Sequence, residues 1–145
     1  MKMVPAVRVA NRADIPAMHV VRLAVRENRL TSGAITEQHY CSAIEDPGRG
    51  WVAEEAGAVI AFAVGNRMTG NVWALFVHPD HEGKGVGRLL QSAMLQWLFA
   101  AGVPRAWLTT GPGTRAQRFY EATGWSRTGT TTEGEVVYER YSPAV

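Results

Sequence analysis

The apolar positions in the N-terminal part of the chain predict one strand followed by one helix. PAVRVA, at residues 5–10, has the pattern of an extended segment. Asp14 then stands at a position suited to a helix N-cap, and Glu27 and Asn28 should end the helix. Its apolar residues recur at helical spacing and form one face: Met18, Val21 and Val25.

A second, shorter helix is predicted for TEQHYCSAIED, residues 36–46, with Thr36 as its N-cap. Three residues form its apolar stripe: Tyr40, Ala43 and Ile44. The residues after it should break the helix: Pro47, Gly48 and Gly50.

Three strands should follow as antiparallel neighbours. WVAEE and AVIAFAVG flank Ala56 and Gly57, which predicts a β-hairpin. NVWALFV, residues 71–77, predicts the third strand after a turn at Thr69 and Gly70.

The strongest helical pattern lies in the second half of the chain. Its apolar residues recur at helical spacing, and Gly102 stands at the C-terminal cap: Leu89, Leu90, Ala93, Met94, Trp97, Leu98 and Ala101. AWLTT, residues 106–110, predicts a short strand. A right-handed βαβ unit therefore joins it, in parallel, to NVWALFV.

The last part of the chain predicts a short helix and a closing hairpin. TRAQRFYEATGW, residues 114–125, places Ala116, Phe119 and Tyr120 on one side of a helix that stops at Gly124. WSRTGT and EVVYERY then alternate like the two strands of a hairpin. The predicted fold class is α/β with a mixed sheet.

Length and composition narrow the class of protein. A chain of 145 residues without repeats or linkers predicts a single domain over residues 1–145. The formal net charge is +2, with 15 basic and 13 acidic residues spread along the chain, so we expect no nucleic-acid or membrane surface. Cys41 is the one cysteine and cannot form an internal disulfide, and no signal-peptide pattern opens the chain. These features favour a cytoplasmic location.

The stretch VHPDHEGKGVGRLL, residues 77–90, carries three alternate glycines between a strand and a helix: Gly83, Gly85 and Gly87. Backbone amides at a helix N-terminus bind phosphate groups. Lys84 is followed by Gly85 rather than by Ser or Thr, so the stretch is not a P-loop, and the alternate spacing differs from the dinucleotide fingerprint. Close helix packing would explain one or two of the glycines, and phosphate binding explains all three.

HEGKGVGRLL resembles the acetyl-CoA pyrophosphate loop of the GNAT superfamily of N-acetyltransferases. The family pattern is Gln or Arg, two residues, Gly, one residue, then Gly or Ala, and here Glu82, Gly85 and Gly87 hold those positions. AQRFYEATGW is similar to a later family motif of Ala, Phe-Tyr, Gly and an aromatic residue. The order of elements also matches from about residue 7 to residue 141.

The resemblance implies a GNAT-like fold: a mostly antiparallel central sheet, a parallel pair of strands that splay apart, and about four helices. It implies acetyl-CoA as cofactor, with the pantetheine arm in the gap between NVWALFV and AWLTT. The cofactor-binding residues expected from it lie on the first strand, in the glycine turn and on the later strand and helix: Leu75, Phe76, Val77, Gly83, Lys84, Gly85, Val86, Gly87, Arg88, Thr110, Phe119 and Tyr120.

Two departures from the family pattern concern the cofactor. Glu82 replaces Gln or Arg, and its carboxylate would repel a pyrophosphate unless it turns outward while Lys84 and Arg88 supply compensating charge. Gly113 stands where many relatives carry an Asn that bonds the pantetheine arm. Its contact is then left to one of three residues: Thr109, Thr110 or Thr114.

The resemblance also implies the catalytic groups. Tyr120 holds the position of the acid that protonates the departing thiolate, and the alternative is a core aromatic. The backbone N–H of Val77 is the expected donor to the oxyanion. NVWALFV carries no acid, so the candidates for the base are Glu27 first, Glu54 second, and ordered water.

The remaining candidate residues have weaker support. His78 and His81 flank Pro79 and could act as bases, but no Cys or third His stands at ligand spacing, so no metal site is expected. Among the scattered tryptophans, Trp73 is the one expected to wall the acceptor pocket.

The expected enzyme transfers acetyl to a primary amine on a small molecule, and aminoglycoside-type antibiotics are one candidate class. A protein or peptide N-acetyltransferase and a non-catalytic acyl-CoA-binding module remain alternatives, with a nucleotide-binding α/β protein outside the family. The sequence leaves open the acceptor and whether the chain forms a homodimer.

Overall fold

The computed structural model describes residues 5–25 and 35–143. Those residues form four α-helices and seven β-strands in the order β1 (Ala6–Val9), α1 (Ile15–Ala24), α2 (Glu37–Ile44), β2 (Gly48–Glu55), β3 (Ala58–Asn66), β4 (Val72–Val77), α3 (Val86–Ala100), β5 (Arg105–Thr110), α4 (Arg115–Ala122), β6 (Ser126–Thr130) and β7 (Val136–Tyr141). Short 3₁₀ turns precede α1 and α3, at Arg12–Asp14 and Pro79–His81.

The strands form two antiparallel sheets that meet at one point. Strands β1-β2-β3-β4 make the first sheet in that order, and β5-β7-β6 make the second. A single parallel bridge between Asn71 and Trp107 joins β4 to β5, and the Trp107 N–H donates to the Gly70 carbonyl at 3.0 Å. The predicted mixed sheet with a splayed parallel pair is confirmed.

The two faces of the first sheet pack against different helices. On one face α3 contributes most of its buried side chains to the larger core, among them Leu90, Met94 and Leu98. On the other face α1 and α2 cover β2–β4, with Met18, Val21 and Tyr40 buried. Because strand side chains alternate, Leu75 and Val77 belong to the α3 face of β4 whereas Phe76 packs toward α1 and α2.

The long helix α3 stops as its sequence predicts. Gly102 has φ +92°, and the Val103 N–H donates to the Leu98 carbonyl at 3.2 Å, which is the bond of a Schellman motif. None of the helices within residues 5–25 and 35–143 is long and apolar enough to cross a membrane.

Two details of the predicted elements are wrong: the end of α1 and the break at Gly48 and Gly50. Helix α1 ends at Ala24, before the predicted end. Asp14 is the N-cap residue as predicted, but it makes no side-chain capping bond, because its carboxylate binds Arg8 at 2.7 and 2.8 Å and the Asn11 N–H at 2.8 Å. Gly48 and Gly50 lie within β2 rather than in a break. A Cβ on Gly48 would lie 1.9 Å from the Ala43 carbonyl oxygen, so this glycine allows β2 to pass against the end of α2.

We expect Asp14→Ala to lower the free energy of unfolding at pH 7 by roughly 1–3 kcal/mol, because it removes the two-point contact with the Arg8 guanidinium, which keeps Glu54, and leaves the Asn11 N–H without its acceptor. The Arg8 hydrogen bonds hold the pKa of the Asp14 carboxyl below its usual value. Its stabilisation is therefore present above about pH 4 and is lost as pH falls through the lowered pKa. Urea unfolding between pH 2 and pH 7 measures both effects.

The matched control is Asp46→Ala. The Arg67 hydrogen bond also lowers the pKa of this carboxyl, but the Asp46 side chain is 76% exposed. Water replaces the partner of an exposed ion pair, so stability should hardly change. Equal losses in the two variants would show that the Arg8–Asp14 contact adds nothing specific.

Candidate functional site

A cavity of about 360 Å³ opens where β4 and β5 diverge beyond their bridge. Within the described residues it is bounded by β4, the glycine turn, the start of α3, the end of β5 and one side of α4. Most residues predicted to bind the cofactor line it: Leu75, Phe76, Val77, Gly83, Gly85, Val86, Gly87, Arg88, Thr110, Phe119 and Tyr120. Lys84 does not.

The hydrogen-bond register decides which backbone groups of β4 face the cavity. The His78 N–H donates to the Ile60 carbonyl at 2.8 Å, so His78 and Phe76, which faces Phe62, are bonded to β3. Leu75 and Val77 alternate with them and direct their N–H and C=O groups to the open edge. Leu75 and Val77 can therefore pair with a strand-like ligand, whereas the backbone of Phe76 is already used.

The cavity wall on the α1 side is aromatic. Trp73 is an extra residue in β4, because Val64 pairs with Ala74 and Gly65 with Val72. Such a β-bulge bends the strand and re-aims its side chain. The Trp73 side chain lines the cavity together with Phe76 and with Val25 at the end of α1. Trp73 thus lies where the sequence placed it, on the wall of the pocket.

The glycine turn presents free backbone amides to the cavity. Gly85 is the N-cap of α3 with φ +82°, and the Leu89 N–H makes the first helical bond, to the Gly85 carbonyl at 3.2 Å. The N–H groups of Val86, Gly87 and Arg88 precede that bond and have no helical acceptor. A Cβ built on Gly83 or Gly85 meets no atom within 4 Å, so the space above the turn is open to a phosphate.

The three glycines are required for two different reasons. Gly83 and Gly85 have φ of +78° and +82°, a conformation that side chains disfavour. Gly87 packs against α4, because a Cβ there would lie 3.2 Å from the Phe119 ring. Close helix packing therefore accounts for one glycine, and the turn for the other two.

The charges around the turn differ from the expected arrangement. Glu82 lines the cavity, and its carboxylate lies 3.1 Å from the Arg115 guanidinium. Lys84 instead lies 3.8 Å from the Glu55 carboxylate and 3.1 Å from the His81 ring. Arg115, at the start of α4, therefore compensates Glu82, and Arg88 is the second cation at the cavity.

Tyr120 reaches the cavity from within the core. Its residue is 5% exposed, and its ring packs against Phe119, Trp125 and Tyr138. Burial raises the pKa of its phenol above the ordinary value. Within the described residues its hydroxyl has no hydrogen-bond partner. The group is a protonated donor that the fold leaves available to a ligand.

The structure changes the set of candidate bases. Glu27 lies outside the described residues. Glu54 does not line the cavity, and its carboxylate lies 2.5 Å from the Arg8 guanidinium. Two acidic residues line the cavity, Glu82 and Glu135. Glu82 pairs with Arg115, whereas Glu135 is exposed and makes no ion pair among the described residues.

Sequence reasoning missed Glu135 because it assigned this residue to the last strand. The strand β7 begins at Val136, which pairs with Thr110, so Glu135 follows the hairpin turn beside the end of β5. Only the pairing of β5 with β7 shows that Glu135 lies near the cavity, and the alternation of apolar and polar residues does not predict that pairing.

The two loop histidines, His78 and His81, make different contacts. The His78 ring accepts a hydrogen bond from the Asp80 N–H at 3.1 Å and so caps the short turn. His81 lines the cavity, and its ring lies 3.3 Å from the Glu55 carboxylate. Residues 5–25 and 35–143 contain no group of three or more His, Cys, Asp or Glu that could hold a metal ion.

The three threonines near Gly113 have different structural roles. The Thr114 hydroxyl donates to the Gly111 carbonyl at 2.8 Å and accepts from the Gln117 N–H at 3.2 Å, so it caps α4. Thr109 and Thr110 line the cavity. Of the three residues proposed to replace the missing Asn, these two lie at the cavity.

Solved structures share this fold. The ribosomal-protein-S18-alanine N-acetyltransferase from Escherichia coli superimposes with a TM-score of 0.77 at 19% identity over 95% of this chain and 94% of that chain. The PaiA N-acetyltransferase from Thermoplasma acidophilum, in complex with coenzyme A, gives 0.77 at 14% identity over 97% and 100%. An aminoglycoside 6'-acetyltransferase type Ii gives 0.78 at 12% identity over 94% and 96%.

Sequence comparisons give the family. A mycothiol acetyltransferase from Beutenbergia cavernae is 34% identical over 87 residues, which are 56% of this chain and 29% of that protein. The chain thus spans less than a third of this curated relative. The model of the acetyltransferase (GNAT) family matches residues 16–125. This chain belongs to the GNAT family, whose members are acetyl-CoA-dependent N-acetyltransferases.

Proposed function

We propose that the chain transfers acetyl from acetyl-CoA to a primary amine of a small molecule by direct attack on the thioester. The observation that carries the proposal is the cavity itself, which joins the N-terminus of α3 to the buried Tyr120 hydroxyl along the open edge of β4. Phosphate, pantetheine and thioester are bound along this path, in that order.

The backbone of the chain provides the binding. The amides of Val86, Gly87 and Arg88 hold the pyrophosphate at the positive end of the α3 dipole. The open-edge groups of Leu75 and Val77 bond the pantetheine amides as a neighbouring strand would. Thr110 takes a further contact on the opposite strand. With this pairing the proposal has the thioester carbonyl close to Val77.

The reaction then needs three groups. The neutral amine attacks the thioester carbon, and the Val77 N–H stabilises the negative charge that forms on the carbonyl oxygen. The carbon–sulfur bond breaks, and the thiolate takes the proton of the Tyr120 hydroxyl. A base accepts the proton that the amine loses, and the Tyr120 phenolate is reprotonated from solvent.

Glu135 is the described carboxylate best placed to be that base, with Glu27 or ordered water as the alternatives. We expect Glu135→Gln to lower kcat/KM about tenfold or more at pH 7, and by less at pH 9. Free amine becomes plentiful as pH rises, so the need for the carboxylate falls. Initial rates of thiol release across this range measure the effect.

Glu133→Gln is the matched control, because Glu133 is exposed in the same hairpin turn and does not line the cavity. It should keep the wild-type rate at both pH values. Equal losses at pH 7 and pH 9 for Glu135→Gln would make Glu135 a substrate-binding residue and return the role to Glu27 or water.

The acceptor class is tested with a panel of amines. Amino acids, polyamines, aminoglycosides and peptides are incubated with acetyl-CoA, and the release of thiol is followed. The proposal expects turnover of a small amine. Turnover of peptides alone would favour a protein N-acetyltransferase, whose representative among solved structures shares the fold. Acetyl-CoA binding without any turnover would indicate a non-catalytic module.

A further inference from the structure

Arg22 on α1 is a buried cation without a counter-ion in the described part of the chain. The residue is 6% exposed, and its guanidinium carbon lies 4.7 Å from the Trp73 ring centre and 4.8 Å from that of Phe76. The rings of Tyr40 and Phe62 lie 5.5 and 6.0 Å away. Its Nε and Nη2 atoms are buried and have no hydrogen-bond partner among these residues.

Such an arrangement opposes stability. Removing a guanidinium from water costs more than cation–π contacts with neutral rings return, and an ion pair or several hydrogen bonds normally make up the difference. Here a hydrogen bond with the Tyr40 side chain compensates only in part. Burial accordingly lowers the pKa of Arg22, although an arginine stays protonated at neutral pH. The fold thus keeps a positive charge that packing alone does not require.

The position of this charge connects it with the cavity. Trp73 and Phe76 contact the guanidinium and also line the cavity, so Arg22 lies one side chain behind the wall on the α1 side. Val25, three residues further along the chain, lines the same wall. Glu135 lines the cavity from beside β5, on the other strand that bounds it. The cavity therefore has a buried positive charge behind its α1-side wall and an acidic residue, Glu135, on the opposite wall.

We propose that the acceptor is an amino carboxylate, whose carboxylate is drawn toward Arg22 while its amine points to Glu135 and the thioester. The inference rests on the acetyl transfer proposed above and narrows its acceptor. A positive charge in a poorly solvated wall favours an anionic group and disfavours further cations. Polyamines and aminoglycosides, which carry several ammonium groups, are therefore poor acceptors.

The test compares acceptors that differ only in the carboxylate. Glycine, 4-aminobutanoate and 6-aminohexanoate are each paired with their primary amides, and kcat/KM is measured by thiol release at saturating acetyl-CoA. For at least one of the three chain lengths, kcat/KM for the amino carboxylate should be about tenfold or more above kcat/KM for its amide. The three lengths locate the distance between the amine and the buried positive charge.

Substitutions then assign the preference to Arg22. Arg22→Met keeps an unbranched side chain without charge and should bring the carboxylate-to-amide ratio close to one, while the thermal shift caused by acetyl-CoA persists. Arg22→Lys keeps the charge and should retain the preference in part. Arg12→Met, at an exposed residue paired with Glu45, should leave the ratio unchanged.

Three results would overturn the inference. The first is amide turnover equal to or faster than carboxylate turnover at every length in the wild type, which would leave acetyl transfer itself intact. The second is a wild-type preference that Arg22→Met retains. The third applies if the Arg22→Met protein does not fold. Arg22→Lys keeps the positive charge, so complete loss of the carboxylate preference in that variant would contradict the inference. Absence of turnover with every amine and of a thermal shift with acetyl-CoA would instead refute the proposed function.

Discussion

Tyr120→Phe should reduce turnover about 10²-fold or more, the usual range for loss of a positioned acid, and leave acetyl-CoA affinity almost unchanged. The substitution keeps the ring that packs against Phe119, Trp125 and Tyr138 and removes only a hydroxyl that bonds no described residue. The thiolate then leaves without its proton donor. The loss should fall on kcat, measured by thiol release at saturating substrates.

The pH profile follows from the direction of the pKa shift. Burial raises the pKa of Tyr120 above the ordinary value near 10, so the phenol stays protonated throughout the assay range. The wild-type rate should therefore show no falling limb due to Tyr120 below about pH 10, and the mutant deficit should be constant with pH. Stability gives a second readout. The unfolded phenol ionises at a lower pH than the folded one, so alkali destabilises the wild type more than the mutant.

Tyr138→Phe is the matched control. Tyr138 is as deeply buried, but its hydroxyl donates to the Glu121 carboxylate at 2.7 Å and it does not line the cavity. This variant should lose some stability and keep its turnover. A Tyr120→Phe enzyme with wild-type kcat would show that Tyr120 is a core aromatic and that water or another donor protonates the thiolate.

Gly85→Val should abolish binding of acetyl-CoA. The added side chain would enter the open space above the turn, where the pyrophosphate approaches the amides of α3, and no protein atom lies within 4 Å of the new Cβ. At a hundredfold excess over Kd, acetyl-CoA stabilises a protein by about 2.7 kcal/mol, and that thermal shift should disappear. Differential scanning fluorimetry with and without acetyl-CoA measures it.

Gly102→Val separates binding from backbone strain. Gly102 has φ +92°, its Cβ would also meet no atom within 4 Å, and it lies at the opposite end of α3 from the cavity. In both variants a branched side chain at positive φ should lower the free energy of unfolding by about 1–3 kcal/mol. Only Gly85→Val should lose the thermal shift. A shift preserved in Gly85→Val would place the pyrophosphate elsewhere.

Periodicity was sufficient to predict the elements, because the helices and strands bury one face and expose the other. The glycine turn was equally clear, since Gly83 and Gly85 stand at positions that demand positive φ. The role of Asp14 was not, because an arginine six residues earlier in the chain binds the carboxylate that would cap the helix.

The site residues that sequence reasoning missed depend on contacts between distant segments. Glu82 and Arg115, from separate segments, form an ion pair at the cavity, and the sequence around neither residue predicts the other. The backbone of Phe76 is unavailable because of the register with β3, which is set by the packing of whole strands. Arg22 escaped notice because a charged residue in an amphipathic helix is expected to face solvent.

The divergence of β4 and β5 leaves two sheet edges unpaired inside the molecule, and such edges normally invite aggregation. Here the bridge at Asn71 and Trp107 closes the gap at one end, and α3 and α4 flank the other. An incoming polypeptide would need about 4.7–4.9 Å on each side together with room for side chains on both faces. A pantetheine arm that bonds the same edge needs the same spacing to its hydrogen-bond partners but carries far fewer substituents above and below the sheet. The side chains of an incoming strand, rather than its backbone hydrogen bonds, are therefore what the flanking helices would oppose.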